Sequence, residues 1–131
     1  MLLVNSSVWI DYFNGTITPQ TNHLDRILGI DEIVIGDLIL AEVLQGFRLD
    51  RDYEAAKKAM YAFPIPGLVG TNIALQSADN YRFLRKRGIT VRKTIDCLIA
   101  TFCIENRLEI LHSDSDFDPF EQHLQLKVVH P

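Results

Sequence analysis

The chain has 131 residues, of which 47% are hydrophobic and 23% charged, and its formal net charge at pH 7 is −4. This length and composition are typical of one folded domain, residues 1–131, and they exclude a disordered chain. No apolar run approaches the roughly 20 residues needed to cross a bilayer, and no basic segment precedes the apolar N-terminus. We therefore expect no membrane partner and no signal peptide.

Short apolar strands alternate with helices along the chain. In chain order we predict a strand at 2–4, helices at 6–13 and 21–28, a strand at 32–35, a helix running from its cap Asp37 to Phe47, a helix at 53–61 capped by Asp50, a short or edge strand at 63–66, helices at 71–87 and 94–106, and strands at 109–112 and 127–130. This alternation predicts an α/β fold with a parallel central sheet flanked by helices.

The two cysteines, Cys97 and Cys103, lie six positions apart in one predicted helix. At about 100° per residue they point in different directions and cannot form a disulfide with each other. Two thiols of this kind are typical of a protein in the reducing cytoplasm. The four histidines show no shared spacing, and we expect none of them to be catalytic.

Polar side chains follow two of the predicted strands, and ligands of parallel sheets bind beyond the carboxyl ends of strands. Asn5 and two serines come directly after the first strand, and Asp114 and Asp116 follow the strand at 109–112. These positions are candidates for a binding site. The alternative is a helix N-terminus carrying acids, which the helix dipole favours.

Two further acids lie among apolar residues. Asp96 is in the first turn of the helix at 94–106, which is apolar on nearly every side, and Glu42 is the only charge between Leu38 and Phe47. A buried, unpaired carboxylate costs several kcal/mol, so a partner is expected. The alternatives are that Asp96 caps its own helix and that Glu42 lies at a solvated border. If these acids meet, oxygen ligands without cysteine or histidine favour Mg²⁺ or Mn²⁺, which promote phosphodiester hydrolysis.

Basic residues are concentrated in one short segment. Six of the thirteen lie within twelve positions, namely Arg82, Arg85, Lys86, Arg87, Arg92 and Lys93. A local basic surface can hold phosphates although the whole chain is acidic. The alternative is a solvated helix end, where cations are favoured by the dipole.

Four segments, residues 4–13, 41–47, 87–100 and 111–117, follow one another in an order and spacing that resemble the PIN-domain ribonuclease toxins of the VapC family. The resemblance covers essentially the whole chain and implies a PIN-like α/β/α sandwich with an acidic site for Mg²⁺ or Mn²⁺. By motif, the catalytic and metal-holding positions are Asn5, Glu42, Asp96 and Asp114, with Asp116 as an accessory metal ligand. Ser7 matches the hydroxyl that orders the turn after the first strand.

The resemblance also implies an activity and partners. The toxins of type II VapBC toxin–antitoxin systems are metal-dependent endoribonucleases that usually form homodimers and are silenced by a VapB-like antitoxin. Arg87, Arg92 and Lys93 are candidates to hold the RNA backbone. Trp9 and Phe13 could line an apolar groove for the antitoxin, although packing in the core is the simpler interpretation of each.

Asn5 departs from the family pattern, which has Asp at this position. An amide keeps the shape and one acceptor oxygen but loses the negative charge, so we expect weaker metal binding and strongly reduced cleavage. An inactivating substitution and a natural divergence both explain Asn5, and we favour the first because the other site positions are intact. A catalytically silent module that binds RNA or antitoxin is the alternative function. A phosphotransfer domain is disfavoured because no Asp nucleophile follows the first strand.

Overall fold

The computed structural model describes all 131 residues, and its elements alternate as the sequence predicts. In chain order they are β1 (Leu2–Val4), α1 (Ser6–Phe13), α2 (Pro19–Ile27), β2 (Ile33–Val34), α3 (Asp37–Leu44), α4 (Asp50–Met60), α5 (Gly70–Lys86), α6 (Thr94–Asn106), β3 (Glu109–Leu111), a 3-10 turn (Ser115–Phe117), α7 (Asp118–Leu124) and β4 (Lys127–Val128). All strand pairs are parallel, in the order β2-β1-β3-β4. The predicted α/β class with a parallel sheet flanked by helices is confirmed.

The two central strands place the loops that follow them side by side. Val4 of β1 is in register with Leu111 of β3, so Asn5 and His112 are the next residues at the same edge of the sheet. The backbone N–H of Asn5 donates to the carbonyl of Leu111 at 2.9 Å and extends this pairing by one bond. Both strands are buried at their carboxyl ends, which holds this edge in place.

One hydrophobic core of 24 buried residues lies between the sheet and the helices. Helix α6 contributes to it from several sides, with Cys97, Ile99, Ala100 and Cys103 all buried, as its apolar sequence predicts. Both cysteines are free thiols. No helix of the protein combines the length and the apolar character that crossing a membrane requires.

The segment 63–66 is not a strand, and that prediction is wrong. The carbonyls of Pro64 and Pro66 accept hydrogen bonds from the N–H groups of Ile35 (3.0 Å) and Asp37 (2.9 Å), so the segment runs beside β2. Because the two prolines have no N–H to donate, this contact does not develop into a regular ladder.

Several predicted helix ends also need correction. The N-cap of α3 is Gly36 rather than Asp37, whose carboxylate accepts hydrogen bonds from the N–H groups of Leu38 and Leu68 instead. Helix α3 ends at residue 44 instead of 47, and α4 begins at residue 50 instead of 53. Helix α2 begins at residue 19 because Thr18 and Thr21 form a capping box in front of it. Helix α7 and the 3-10 turn before it were not predicted.

Gly36 is required at the start of α3 both by its backbone angle and by its neighbour. Its φ is +84°, and a Cβ there would lie 2.7 Å from side-chain carbons of the fully buried Leu68. We expect Gly36→Ala to lower the free energy of unfolding by about 2–4 kcal/mol, the sum of left-handed strain and overpacking. Gly29→Ala is the matched control, because Gly29 has a φ of +80° but open space around it. Chemical denaturation of both variants tests this, and equal losses would show that the contact with Leu68 is unimportant.

Candidate metal centre

Three aspartates form a cluster at the carboxyl edge of the sheet. Asp96, Asp114 and Asp116 each bring one carboxylate oxygen within 4.8 Å of the others. Asp96 projects from the first turn of α6 and is only 5% exposed, whereas Asp114 and Asp116 lie in the segment after β3. Asp114 caps the 3-10 turn, and its Oδ1 accepts the N–H of Asp116 at 2.9 Å. This capping bond holds the second and third acids of the cluster beside each other.

Asn5 lies at the same edge and is 3% exposed. Its Nδ2 donates to the hydroxyl oxygen of Ser7 at 3.3 Å, and the hydroxyl of Ser113 donates to the same oxygen at 3.3 Å. Ser7 therefore links the turn after β1 to the loop that leads into Asp114. Asn5 is also the N-cap of α1, but its side chain makes no capping hydrogen bond and is free to face another group.

Glu42 lies beside the cluster but is not part of it. Its Oε1 accepts the hydroxyl hydrogen of Ser6 at 3.1 Å, which ties α3 to the start of α1. It is half-buried, and its charge is close enough to raise the pKa of Asp96. Glu42 is therefore an outer carboxylate of the site, next to the three aspartates.

The cluster has an excess of negative charge. The pKa of Asp96 is raised from 3.8 to about 6, first by burial and then by the charge of Asp114, with smaller contributions from Glu42 and Asp116. Lys93 opposes this shift but does not cancel it. Carboxylates that repel one another in this way are stabilised by a cation placed between them.

Two buried oxygens in the site have no hydrogen-bond partner, Oδ1 of Asn5 and Oδ2 of Asp96. Nearly all buried acceptors in proteins are paired, so each such atom requires an explanation. Amide and carboxylate oxygens are ligands that suit Mg²⁺ and Mn²⁺. The donor set therefore fits a hard divalent cation.

Two of the predicted RNA-binding cations contact the acids themselves. Arg92 donates to Oδ1 of Asp116 through Nε at 3.0 Å and Nη2 at 2.6 Å, and Nζ of Lys93 lies 3.8 Å from Asp114 and 3.9 Å from Asp116. Both cations are more than half exposed, and exposed ion pairs contribute only about 0–1 kcal/mol. They are therefore free to exchange their partners for another anion.

The third predicted cation lies elsewhere. The guanidinium of Arg87 stacks on the ring of Phe83 at 3.4 Å and donates to the carbonyl oxygen of Phe83 at 3.2 Å. It contacts none of the acids of the site. The structure thus brings Arg92 and Lys93, but not Arg87, into contact with the aspartate cluster.

His112 is a residue of the site that the sequence analysis missed. It is buried, its ring lies 4.9 Å from that of Phe117, and its Nδ1 accepts the N–H of Asp114 at 3.1 Å. Burial lowers the pKa of His112 and so favours the neutral ring. Because Nδ1 accepts the N–H of Asp114, the neutral ring carries its proton on Nε2, which is buried without a partner. Its position directly after a strand and two residues before Asp114 was the available signal. His112 orients the backbone that presents the aspartates.

Comparisons with known proteins identify the family of the chain. The sequence pattern of the PIN domain family matches residues 2–121 of the chain. VapC ribonuclease Mb1587 of Mycobacterium bovis and ribonuclease VapC11 of Mycobacterium tuberculosis are each 30% identical over 120 residues, which cover 90% of this chain and 90% of the relative.

Solved structures share the fold. FitAcB from Neisseria gonorrhoeae superposes with a TM-score of 0.79 at 13% identity, covering 100% of this chain and 98% of that one. VapBC2 from Rickettsia felis, bound to a promoter DNA fragment, superposes with a TM-score of 0.77 at 14% identity, covering 98% of this chain and 96% of that one. The predicted PIN-like sandwich is confirmed. The chain belongs to the PIN domain family and, within it, to the VapC ribonucleases of toxin–antitoxin systems.

Proposed function

We propose that this site holds Mg²⁺ or Mn²⁺ and hydrolyses RNA phosphodiesters as the toxin of a toxin–antitoxin pair in the cytoplasm. Asp96, Asp114 and Asp116 would hold the ion, with the oxygen of Asn5 as a weak further ligand. The observation that carries the proposal is the buried, unpartnered Oδ2 of Asp96 within a cluster of three carboxylates. A carboxylate in that position is stable only when a cation or a proton joins it.

The residues of the chain have separate tasks in this proposal. A bound divalent ion supplies charge stabilisation at the phosphoryl oxygens and activates water. Arg92 and Lys93, which are exposed and weakly paired, exchange their carboxylate partners for the phosphates of the strand. Glu42, whose Oε1 accepts the hydroxyl hydrogen of Ser6 outside the cluster, would accept the proton of the attacking water.

Asn5 weakens this site. Its neutral amide removes one negative charge from a cluster that must attract a divalent cation, so the chain as it stands cleaves RNA slowly. This observation also supports the alternative function, a silent PIN domain that binds RNA or antitoxin without cleaving. The two functions predict different results for Asn5→Asp, because a ribonuclease would gain cleavage when the charge is restored and a silent module would not.

Removing the metal from the Asn5→Asp form tests the proposed function. We expect this form to cleave single-stranded RNA with Mg²⁺ or Mn²⁺, to stop when a chelator is added, and to resume when excess Mn²⁺ is returned. Cleavage that continues undiminished in chelator would contradict a metal mechanism. A form that binds RNA but never cleaves it, with either ion, would favour the silent module.

His112 is expected to act on metal binding through Asp114. In the Asn5→Asp form, His112→Leu removes the acceptor for the N–H of Asp114 and is expected to weaken Mn²⁺ binding by about 10-fold, as loss of residues that orient metal ligands does. His112→Asn places an acceptor oxygen near the position of Nδ1 and restores most of the affinity. Titration calorimetry with Mn²⁺ measures both. If His112 only packs against Phe117, the apolar Leu would be tolerated better than Asn.

We also propose that an antitoxin covers the groove between the end of α1 and the α3–α4 connection, and that the chain forms homodimers. The structure from Klebsiella pneumoniae is a toxin–antitoxin complex, and one of its chains superposes on this chain with a TM-score of 0.74. The groove encloses about 570 Å³ and is lined partly by Phe13, Phe47 and Leu49. Trp9, in contrast, is buried and stacks on Phe13 from the core side.

A further inference from the structure

A second groove lies between α5 and α6, on the part of the surface that carries the basic segment. It encloses about 460 Å³, and most of its lining surface is apolar. Ala74, Ala78, Tyr81, Arg82 and Arg85 line it from α5 at spacings of three and four, so they share one face of that helix. The small side chains of the two alanines leave open space between α5 and α6. The longer side chains further along α5 border this space but do not fill it.

The side chains of this groove combine an aromatic ring with cations that have no carboxylate partner. Arg82 and Arg85 are exposed and belong to none of the ion pairs of the protein, unlike Arg92 and Lys93. The guanidinium of Arg85 lies 5.7 Å from the centre of the Tyr81 ring. An aromatic ring next to free arginines is complementary to a nucleobase with its phosphate, because bases stack on flat side chains and phosphates pair with guanidinium groups.

The groove adjoins the aspartate cluster across the first turn of α6. Thr94 and Cys97 line it, and the residues directly before them in the chain are Lys93, which contacts Asp114 and Asp116, and Asp96 itself. The groove and the cluster therefore lie on two sides of the first turn of α6, and a helix with its side chains is only about 10–12 Å across. A nucleic-acid strand with one phosphodiester at the cluster can therefore place a neighbouring nucleotide in the groove.

We propose that the α5–α6 groove binds an unpaired nucleotide of the RNA substrate next to the bond that is cut. The base stacks on Tyr81, and Arg82 and Arg85 hold its phosphates. This inference rests on the proposed ribonuclease function and gives it a subsite that holds the strand. The combination of an aromatic ring with two arginines that have no carboxylate partner favours a nucleotide, which offers both a base to stack and phosphates to pair.

To test whether Arg82 and Arg85 hold RNA phosphates, we would measure binding of fluorescein-labelled single-stranded RNA to the full chain, without metal and across a salt series. We expect Arg82→Gln combined with Arg85→Gln to raise Kd by about 10-fold at low salt and to lower the salt slope by about 1.4, since each single-strand phosphate contact contributes about 0.7. Arg26→Gln combined with Arg51→Gln is the matched control, because it removes the same charge from exposed arginines of α2 and α4, which do not line the groove. The control is expected to bind as the parent does.

Tyr81→Leu tests whether the base stacks on the Tyr81 ring. We expect it to raise Kd by about 10-fold with an unchanged salt slope, because a stacking contact contributes about 1–3 kcal/mol without releasing counterions. Circular dichroism confirms the fold of each variant. Since Tyr81 is half-buried, Ala78→Trp provides a second test that fills the groove from an exposed position and is expected to weaken RNA binding similarly.

Other outcomes separate the groove from the proposed function. If the double arginine variant binds RNA as tightly as its control, the groove inference is wrong, even if the Asn5→Asp form cleaves RNA. If the arginines matter for binding but the Asn5→Asp form never cleaves, the ribonuclease proposal fails and the groove stands as an RNA site. If Ala78→Trp turns a dimer into a monomer in sedimentation and the arginine variant still binds RNA, the groove is an interface between two copies instead.

Discussion

The Asn5→Asp form is expected to cleave RNA at least ~100-fold faster than the parent chain when Mg²⁺ or Mn²⁺ is present, because a metal site contributes several kcal/mol of charge stabilisation. The substitution replaces Nδ2 by oxygen and makes the unpartnered Oδ1 part of a charged carboxylate. It keeps the local structure, since the hydroxyl of Ser7 can donate to a carboxylate as readily as it accepts from the amide. Initial rates on labelled RNA measure the effect.

The same charge added elsewhere provides the control for this result. Asn22→Asp places a carboxylate on the exposed surface of α2 and is expected to leave cleavage unchanged. Without metal, Asn5→Asp should also lower the melting temperature, because it adds a carboxylate to a cluster that already repels Asp96, and Mn²⁺ should restore it. If both substitutions raise the rate equally, Asn5 is not a position of the metal site.

Asp96→Asn is expected to stabilise the metal-free protein above pH 6 by about 3 kcal/mol. The pKa of Asp96 is about 6 in the folded state against 3.8 in the reference state, and one pKa unit corresponds to about 1.4 kcal/mol. A carboxyl with a raised pKa holds its proton more tightly in the folded state, so stability of the parent falls as pH rises from about 4 to above 6. Thermal unfolding in chelator should show a higher melting temperature for Asp96→Asn than for the parent at pH 7 but not at pH 4.

The same substitution is expected to abolish cleavage in the Asn5→Asp form, since it removes a charged ligand from the buried side of the cluster. A gain in stability with a loss of activity identifies a carboxylate that is maintained for function. Asp79→Asn, on the exposed surface of α5, is the control and should change neither property. Cleavage that survives Asp96→Asn would remove Asp96 from the catalytic set.

Local patterns in the sequence predicted best those elements that clear signals flank. Helices α1 and α6 have the predicted bounds, because polar turn residues or strand ends flank each apolar pattern. Helix α7 has only seven residues, begins Asp118-Pro119 and directly follows a 3-10 turn. It is too short to show the repeating apolar pattern that predicts a helix. The segment 63–66 looked like a strand because it is apolar, but its prolines limit it to accepting hydrogen bonds.

The aspartates of the site could be located from the sequence because each one lies at a strand end or in an apolar helix. The residues that contact these aspartates could not be predicted from the sequence. Arg92 pairs with Asp116 across 24 positions of the chain, a contact that only the packing of α6 against the segment after β3 creates. His112 orients Asp114 through a ring nitrogen and a backbone N–H, and no spacing pattern encodes such a bond.

Mn²⁺ binding, followed by titration calorimetry without RNA, tests the central claim most directly, because it depends on neither the substrate nor the rate. The account predicts that Asn5→Asp tightens Mn²⁺ binding by about 10-fold or more and that adding Asp114→Asn to that form abolishes it. Asn22→Asp should leave the parent affinity unchanged. Equal affinity in the parent and the Asn5→Asp form, or binding that persists without Asp114, would contradict a metal centre built on the aspartate cluster and Asn5.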